Sequence, residues 1–309
     1  MAWSEEYPRK YYSKYKRRQV ANDHGWYEVY EVEEGVFCIC EPQHFQEVHF
    51  YLICGSKRAL LFDTGMGFYP IRPLISELYD GEVIVCNSHF HFDHIGSNYA
   101  FDKVWAHVDP LVAAVAEHGL PHEAYGSQLE EEMFQFGIPE DLELGNFAAK
   151  GYNALPLAEG QIFDLDGRTL EVIFAPGHSQ DGVVLYDEEN KILFTGDFFY
   201  TGALYAFFDN EIFGKSSCEE YYRSAQKLNA MLPEDVRLFC SHNEPVAEGS
   251  CLKKLEQALG EVINGSAPKD DEVGKEHVFL EDGTMLAEFP AGVFSIVYAI
   301  KEENRKMHE

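Results

Sequence analysis

Positive charge is scarce in this chain: it carries 24 Lys and Arg against 53 Asp and Glu in 309 residues, a formal net charge of −29 at pH 7. A surface that acidic repels a phosphate backbone, since nucleic-acid binding rests on cationic contacts, so a small-molecule substrate is expected and a nucleic-acid partner is not. Long apolar runs are missing too. No stretch approaches the roughly 20 apolar residues of a membrane-spanning helix, and no apolar segment follows the polar residues 1–7, so neither a membrane span nor a secretory signal is expected. Cysteine is sparse and odd in number (Cys38, Cys40, Cys54, Cys86, Cys218, Cys240, Cys251) and sits mostly inside apolar runs. That usage argues against a disulfide framework and for reduced thiols in a cytoplasmic protein. Cys38-x-Cys40 has no second cysteine pair nearby, which counts against a metal site there.

The scarce positive charge is concentrated in residues 9–18, within a basic, tyrosine-rich arm spanning 1–25. Docking on the chain's own acidic body or on a partner subunit is its simplest role, contact with a membrane or nucleic acid the alternative. From Trp26 onward, apolar runs separated by turn residues predict strands at 29–32, 36–40, 50–53, 59–62 and 83–86, with a helix over 71–78. A Glu-rich stretch, 109–150, breaks this rhythm and reads as a helical insertion that either overhangs a cleft or runs through solvent; His118 and His122 in it carry no motif. Strands resume through 161–174, 183–186 and 191–194, followed by helices at 218–232 and 250–263. The composition of 266–271 suggests a linker. The tail to residue 300 has strand-like runs that either extend a sheet edge or mediate a homodimer.

The chemistry is concentrated in Ser88-His89-Phe90-His91-Phe92-Asp93-His94, three imidazoles and a carboxylate just past the apolar stretch 83–86. In extended chain, residues two apart point to one side, so His89 and His91 can converge on one ion. A helix start after them projects Asp93 and His94 toward a second position. Imidazole suits zinc, copper, iron and nickel, and a carboxylate adds charge and orients water. Three more candidates, His178, Asp197 and His242, each follow an apolar strand.

The order H-x-H-x-D-H, then His, Asp and His, resembles the metallo-β-lactamase superfamily, in motif pattern its lactonase and glyoxalase II-like members. The resemblance implies a four-layer αββα sandwich of two mixed β-sheets with helices on the outer faces, a catalytic domain over 26–265, and 266–309 as a C-terminal β extension of it. It further implies one metal on His89, His91 and His178, a second on Asp93, His94 and His242, and Asp197 bridging them. The ions would be two divalent cations, zinc first, with iron or manganese as alternatives. Asp63, in Phe62-Asp63-Thr64-Gly65, would then orient a ligand from behind, or else is a plain turn residue. Two cations roughly 3.5–4 Å apart can bind a bridging hydroxide and polarise a carbonyl, which implies a hydrolase of a small ester, lactone or thioester. Asp93 would orient the hydroxide and shuttle a proton. Tyr200, three residues after Asp197, would hydrogen-bond the substrate carbonyl, as in lactone-opening members, or simply pack. The aromatics Phe198, Phe199, Tyr205, Phe207, Phe208 and Phe213 are either a pocket wall or core. A phosphodiesterase or nuclease of the same fold is the second reading, an iron-dependent oxidoreductase the third.

Overall fold

Strand residues that alternate between two kinds of neighbour build three separate apolar layers, and the fold follows from that alternation. The computed structural model of the chain describes residues 9–265, 278–280 and 284–300; the expected linker at 266–271 lies outside the described residues. The first sheet takes eight strands in chain order: β1 (Lys16–Arg18), β2 (Glu28–Glu33), β3 (Val36–Cys40), β4 (His49–Cys54), β5 (Arg58–Phe62), β6 (Glu82–Cys86), β7 (Val104–Ala106) and β8 (Ala154–Pro156). Pairing is antiparallel from β1 to β5 and parallel from β5 to β8. Helices α1 (Arg72–Leu78), α2 (Phe92–Ile95) and α3 (Pro110–His118) fall between its later strands.

Further along run β9 (Ile162–Asp164), β10 (Thr169–Phe174), β11 (Val183–Asp187), β12 (Ile192–Gly196), β13 (Gly202–Ala206), the ribbon β14 (Asp209–Asn210) and β15 (Gly214–Lys215), α4 (Cys218–Met231), β16 (Arg237–Cys240), β17 (Val246–Glu248) and α5 (Ser250–Ile263). The second sheet has the order β17-β16-β12-β11-β10-β9 and is mixed, because β12 and β16 run parallel. After α5 come β18 (Val278–Phe279), β19 (Met285–Pro290) and β20 (Phe294–Ala299).

Period-two alternation assigns each strand residue to a layer. Cys38, Cys40, Tyr51, Ile53, Leu60 and Phe62 face inward and meet Val183, Leu185, Ile192, Phe194 and Phe239 of the second sheet. Their neighbours Phe37, Ile39, Phe50, Leu52 and Leu61 face outward onto α1, α3 and residues 120–149. On the far side, Val184, Tyr186, Leu193 and Leu238 pack against Tyr221 and Leu228 of α4 and Leu255 and Leu259 of α5. The result is the expected αββα sandwich of two mixed sheets.

Two expectations change in detail, and a third holds. The 109–150 insertion is α-helical only over α3; Glu131–Met133 is a 3-10 turn between two others and irregular chain, because Gly119, Pro121, Gly126, Gly137 and Pro139 interrupt any longer helix. Its buried Tyr125, Met133, Phe134 and Leu144 join the outer core of the first sheet, so it is packed structure and no solvated excursion. The tail extends neither main sheet: β18–β20 form a separate sheet with β13, in the order β13-β20-β19-β18, since β20 pairs in parallel with a strand following Asp197 that lacks an obvious strand pattern. The described part of the basic arm, from residue 9 onward, docks on the chain's own body as expected, with β1 paired to β2 and Lys16 and Arg17 on Glu31 and Glu28.

One contact of this scaffold reaches the ligand-bearing loops directly. The turn at Gly67 (φ +78°) lies so close to α2 that a Cβ there would sit 2.4 Å from the carbonyl carbon and oxygen of Gly96. Gly67→Ala is therefore expected to lose about 2 kcal/mol or more of stability through left-handed strain and overlap, read from urea unfolding; a loss under about 0.5 kcal/mol would show that the turn is free to move.

Candidate metal centre

Six loops meet at one edge of the sandwich because β3, β5, β6, β10, β12 and β16 all deliver their C-terminal ends there. β6 runs into Asn87–His91, and the chain then turns into α2 with His91 at its N-cap and Asp93 in the first turn. β10 leads to His178, β12 to Asp197, β16 to His242 and β5 to Asp63. All seven expected ligands are buried and brought together.

They sort into groups that could hold a metal ion: His89, His91 and His178; Asp93, His94 and His242; and His89, His94 and Asp197, with the ligand atoms of each group within 4.8 Å of one another. Asp197 joins the first two groups. Its Oδ2 lies 3.4 Å from His178 Nε2 and 3.9 Å from His89 Nε2, while its Oδ1 lies 3.2 Å from His94 Nε2 and 3.1 Å from His242 Nε2. Asp93 closes the second group, with one oxygen 3.7 Å from His94 Nε2 and the other 3.6 Å from His242 Nε2. His89 Nε2 and His94 Nε2 are fully buried and make no hydrogen bond, although His94 Nε2 is close to a carboxylate oxygen. Buried polar atoms are seldom left orphaned, and these aim at a shared centre where a cation would satisfy them. The donor set fits a divalent ion of the zinc or iron kind.

Every imidazole is oriented from behind, as metal ligands characteristically are. His91 Nε2 lies 2.9 Å from the carbonyl of Phe213, His178 Nδ1 2.9 Å from that of Tyr205, and His242 Nδ1 2.7 Å from that of Gln46. His89 Nδ1 lies 2.9 Å from Ser88 Oγ, and His94 Nδ1 2.9 Å from Asp63 Oδ2. Asp63 also accepts the Ser88 hydroxyl at 2.6 Å and the Ser88 N–H at 2.7 Å, so its place is behind the ligands and one hydroxyl ties both groups together. Ser241 Oγ donates to Asp197 Oδ1 at 2.5 Å. Gln46 and the supporting roles of Ser88, Ser241, Tyr205 and Phe213 escape sequence reasoning, since a backbone carbonyl or a serine leaves no distinctive signature; Tyr205 and Phe213 stand out only as aromatics, and the two serines only by adjacency to ligand-bearing runs.

Tyr200 is buried with its ring edge-on to His242, centroids 4.8 Å apart, and its phenol donates to the Ala203 carbonyl at 2.8 Å. Phe198 and Phe199 belong to the core. Phe208 and Phe213 instead stand over the first group, with ring centroids 5.3 and 5.5 Å from that of His91, and Tyr205 and Phe207 extend this wall outward.

Charge divides the site. Burial lowers His91 and His178 to about 4 and His89 further, which keeps the first group neutral and ready to ligate. Burial also acts downward on His94 and His242, but Asp197 and Asp93 overcome it and raise both. A cation entering the second group must displace those protons, so affinity there is expected to rise with pH. Zinc titrations of the metal-free chain at neutral pH, in buffers of different ionisation heat, are expected to show protons released on binding; release of none would contradict this charge assignment.

The sequence model of the metallo-beta-lactamase superfamily matches residues 45–242. Acyl-coenzyme A thioesterase MBLAC2 of Bos taurus is 28% identical over 207 residues, covering 58% of this chain and 68% of that protein; the human protein of the same name matches equally. Among solved structures, a metallo-beta-lactamase from Pontibacter korlensis superposes with a TM-score of 0.54 at 21% identity, covering 76% of this chain and 99% of that one. A sec-alkylsulfatase from Pseudomonas sp. does so with a TM-score of 0.58 at 17% identity over 76% of this chain and 42% of that one. At those identities the two structures support the fold alone. The matched span runs from the loop after β3 to His242 and contains all seven clustered candidate ligands, and the chain belongs to the metallo-beta-lactamase superfamily as one of its hydrolases.

Proposed function

We propose that this chain hydrolyses a thioester of a small molecule with two divalent cations, zinc first, one held by His89, His91 and His178 and the other by Asp93, His94 and His242. The observation that carries the reading is the position of Asp197, whose two oxygens each face a different group. Two cations held so would supply a hydroxide at neutral pH and polarise a carbonyl oxygen. The chain's own residues do the rest. The carbonyls of Phe213, Tyr205 and Gln46, with Ser88 and Asp63, hold the imidazoles to one tautomer. Asp93, whose carboxyl burial raises, is placed to carry a proton to the leaving thiolate. Phe208, Phe213, Tyr205 and Phe207 form an apolar wall beside the first group and suit an acyl chain. Thioester chemistry is favoured over phosphodiester chemistry by the acyl-coenzyme A thioesterase relatives and by the acidic charge. Seven free thiols support a reducing, cytoplasmic setting. No helix among the described residues is long and apolar enough to cross a membrane.

A panel of acyl-coenzyme A and short acyl thioesters, lactones, aryl esters, β-lactams and bis(p-nitrophenyl) phosphate tests the reading. Thioesters are expected to have the highest kcat/KM, and turnover confined to the phosphodiester would overturn it. Asp197→Ala is expected to lower metal content and to cost at least about a hundredfold in kcat/KM. Tyr200, whose one phenolic proton is committed to the Ala203 carbonyl, is expected to act by packing against His242, so Tyr200→Phe should leave kcat and kcat/KM within about threefold; a loss of about 10²-fold in both would show instead that the phenol serves as an oxyanion donor.

A further inference from the structure

Gln46 supplies the carbonyl behind His242, and the residue after it has an unusual backbone. Glu47 has φ +44°, a left-handed conformation that a residue with a Cβ disfavours. The peptide joining the two is pinned at both ends, its N–H donating to the His44 carbonyl at 2.9 Å and its C=O accepting from His242 at 2.7 Å. The Glu47 side chain is buried, and the arm holds it there. Arg9 donates through Nε (2.7 Å) and Nη2 to Glu47 Oε1, and the Tyr11 hydroxyl donates to Oε2 at 3.1 Å. Between those two residues and β1, Tyr12 is anchored by stacking on Tyr30 and by its hydroxyl 2.7 Å from His49 Nε2. Lys14 reaches Glu244, two residues past His242. His49 N–H in turn donates to the carbonyl of Ser241, the residue that donates to Asp197. The arm thus touches the loop after β3, which supplies the Gln46 carbonyl, and the loop after β16, which carries His242.

We propose that the N-terminal arm is part of the metal centre: Arg9 and Tyr11 fix the left-handed backbone of Glu47, and through it aim the Gln46 carbonyl that orients His242. They are positioning residues, acting on the second ligand group and not on the first, whose carbonyl supports come from Tyr205 and Phe213. Both lie outside the matched span 45–242, so this support is a property of the chain beyond the family's common core. The inference rests on two ions being held as proposed above and is independent of the substrate.

The test is cobalt(II) and zinc titration of the metal-free full chain, followed by visible absorption and calorimetry, with thermal melting of the same metal-free samples. Wild type is expected to bind two ions. Arg9→Gln is expected to weaken one of them about tenfold, the low end of losses caused by removing a group behind a ligand, and Arg9→Lys to recover part of that. In a Glu47→Gly background, where glycine accepts the positive φ without an anchor, Arg9→Gln is expected to add nothing. Unchanged affinities in Arg9→Gln, equal weakening of both ions in step with a lower melting temperature, or full additivity with Glu47→Gly would each overturn the positioning role while leaving the two-ion centre standing. A wild-type chain that binds fewer than two ions would overturn both.

Discussion

Asp197 is a buried carboxylate with four imidazole nitrogens within 3.9 Å, and the surroundings hold its carboxyl well below the usual carboxylate range despite the desolvation that opposes ionisation. An isolated buried carboxylate would cost several kcal/mol. Here His242 and His94 supply the compensation, and Ser241 adds a hydroxyl donor. The same interaction explains why burial has opposite outcomes for neighbouring histidines: where the carboxylates are close enough the imidazole is raised, and elsewhere desolvation wins. The site is thereby divided into a neutral half and a charged half before any ion is considered.

That division dictates the architecture around it. Asp197 must enter from the end of β12 while its imidazole partners come from β6, α2, β10 and β16, so both sheets have to present strand ends at one edge. The inner apolar layer, with Phe62 and Cys86 at the ends of β5 and β6 and Phe194 and Phe239 within β12 and β16, fixes the sheets face to face beneath the loops. Close packing of that kind transmits small displacements and does not absorb them. Glycines at Gly67 and Gly96 let the α2 loop rest directly on the Asp63 turn.

Much of this was legible in the sequence where side chains carry the information. The histidine-rich run, the strands that alternate between two buried faces and the two long amphipathic helices were read close to their observed positions, because burial imposes a period on residue type. Strands β7 and β8 were not, since three residues are too few to show a period, and β13 was hidden in an aromatic run whose partner β20 lies about ninety residues away, a pairing that only tertiary contact decides. The Glu-rich stretch shows the converse failure: local composition favours helix, but beyond α3 the glycine and proline spacing leaves room for single turns only. The ligands behaved differently from their supports. Metal-binding residue types are rare and clustered, whereas the atoms that orient them are largely main-chain carbonyls, which any residue possesses.

That dependence on main-chain carbonyls has a consequence for how such a site can change. Tyr205 and Phe213 each offer a carbonyl to a histidine and a ring to the wall above the first ligand group. Substituting the ring alters the shape of the cleft while the carbonyl remains, so selectivity can drift without touching the ligands. The opposite holds for whatever sets the backbone path. β13 is held to β20 by five paired residues, from Gly202 with Phe294 to Ala206 with Tyr298, and so the carbonyl of Tyr205 is positioned by the C-terminal strands. The loop of residues 43–47 is held on one side by Met133 and Gln135 of the insertion and on the other by Arg9 and Tyr11. Segments that appear peripheral in sequence therefore govern the orientation of the histidines, while residues that line the cleft are comparatively free to vary. A metal centre built on carbonyls separates the part that must stay fixed from the part that can specialise.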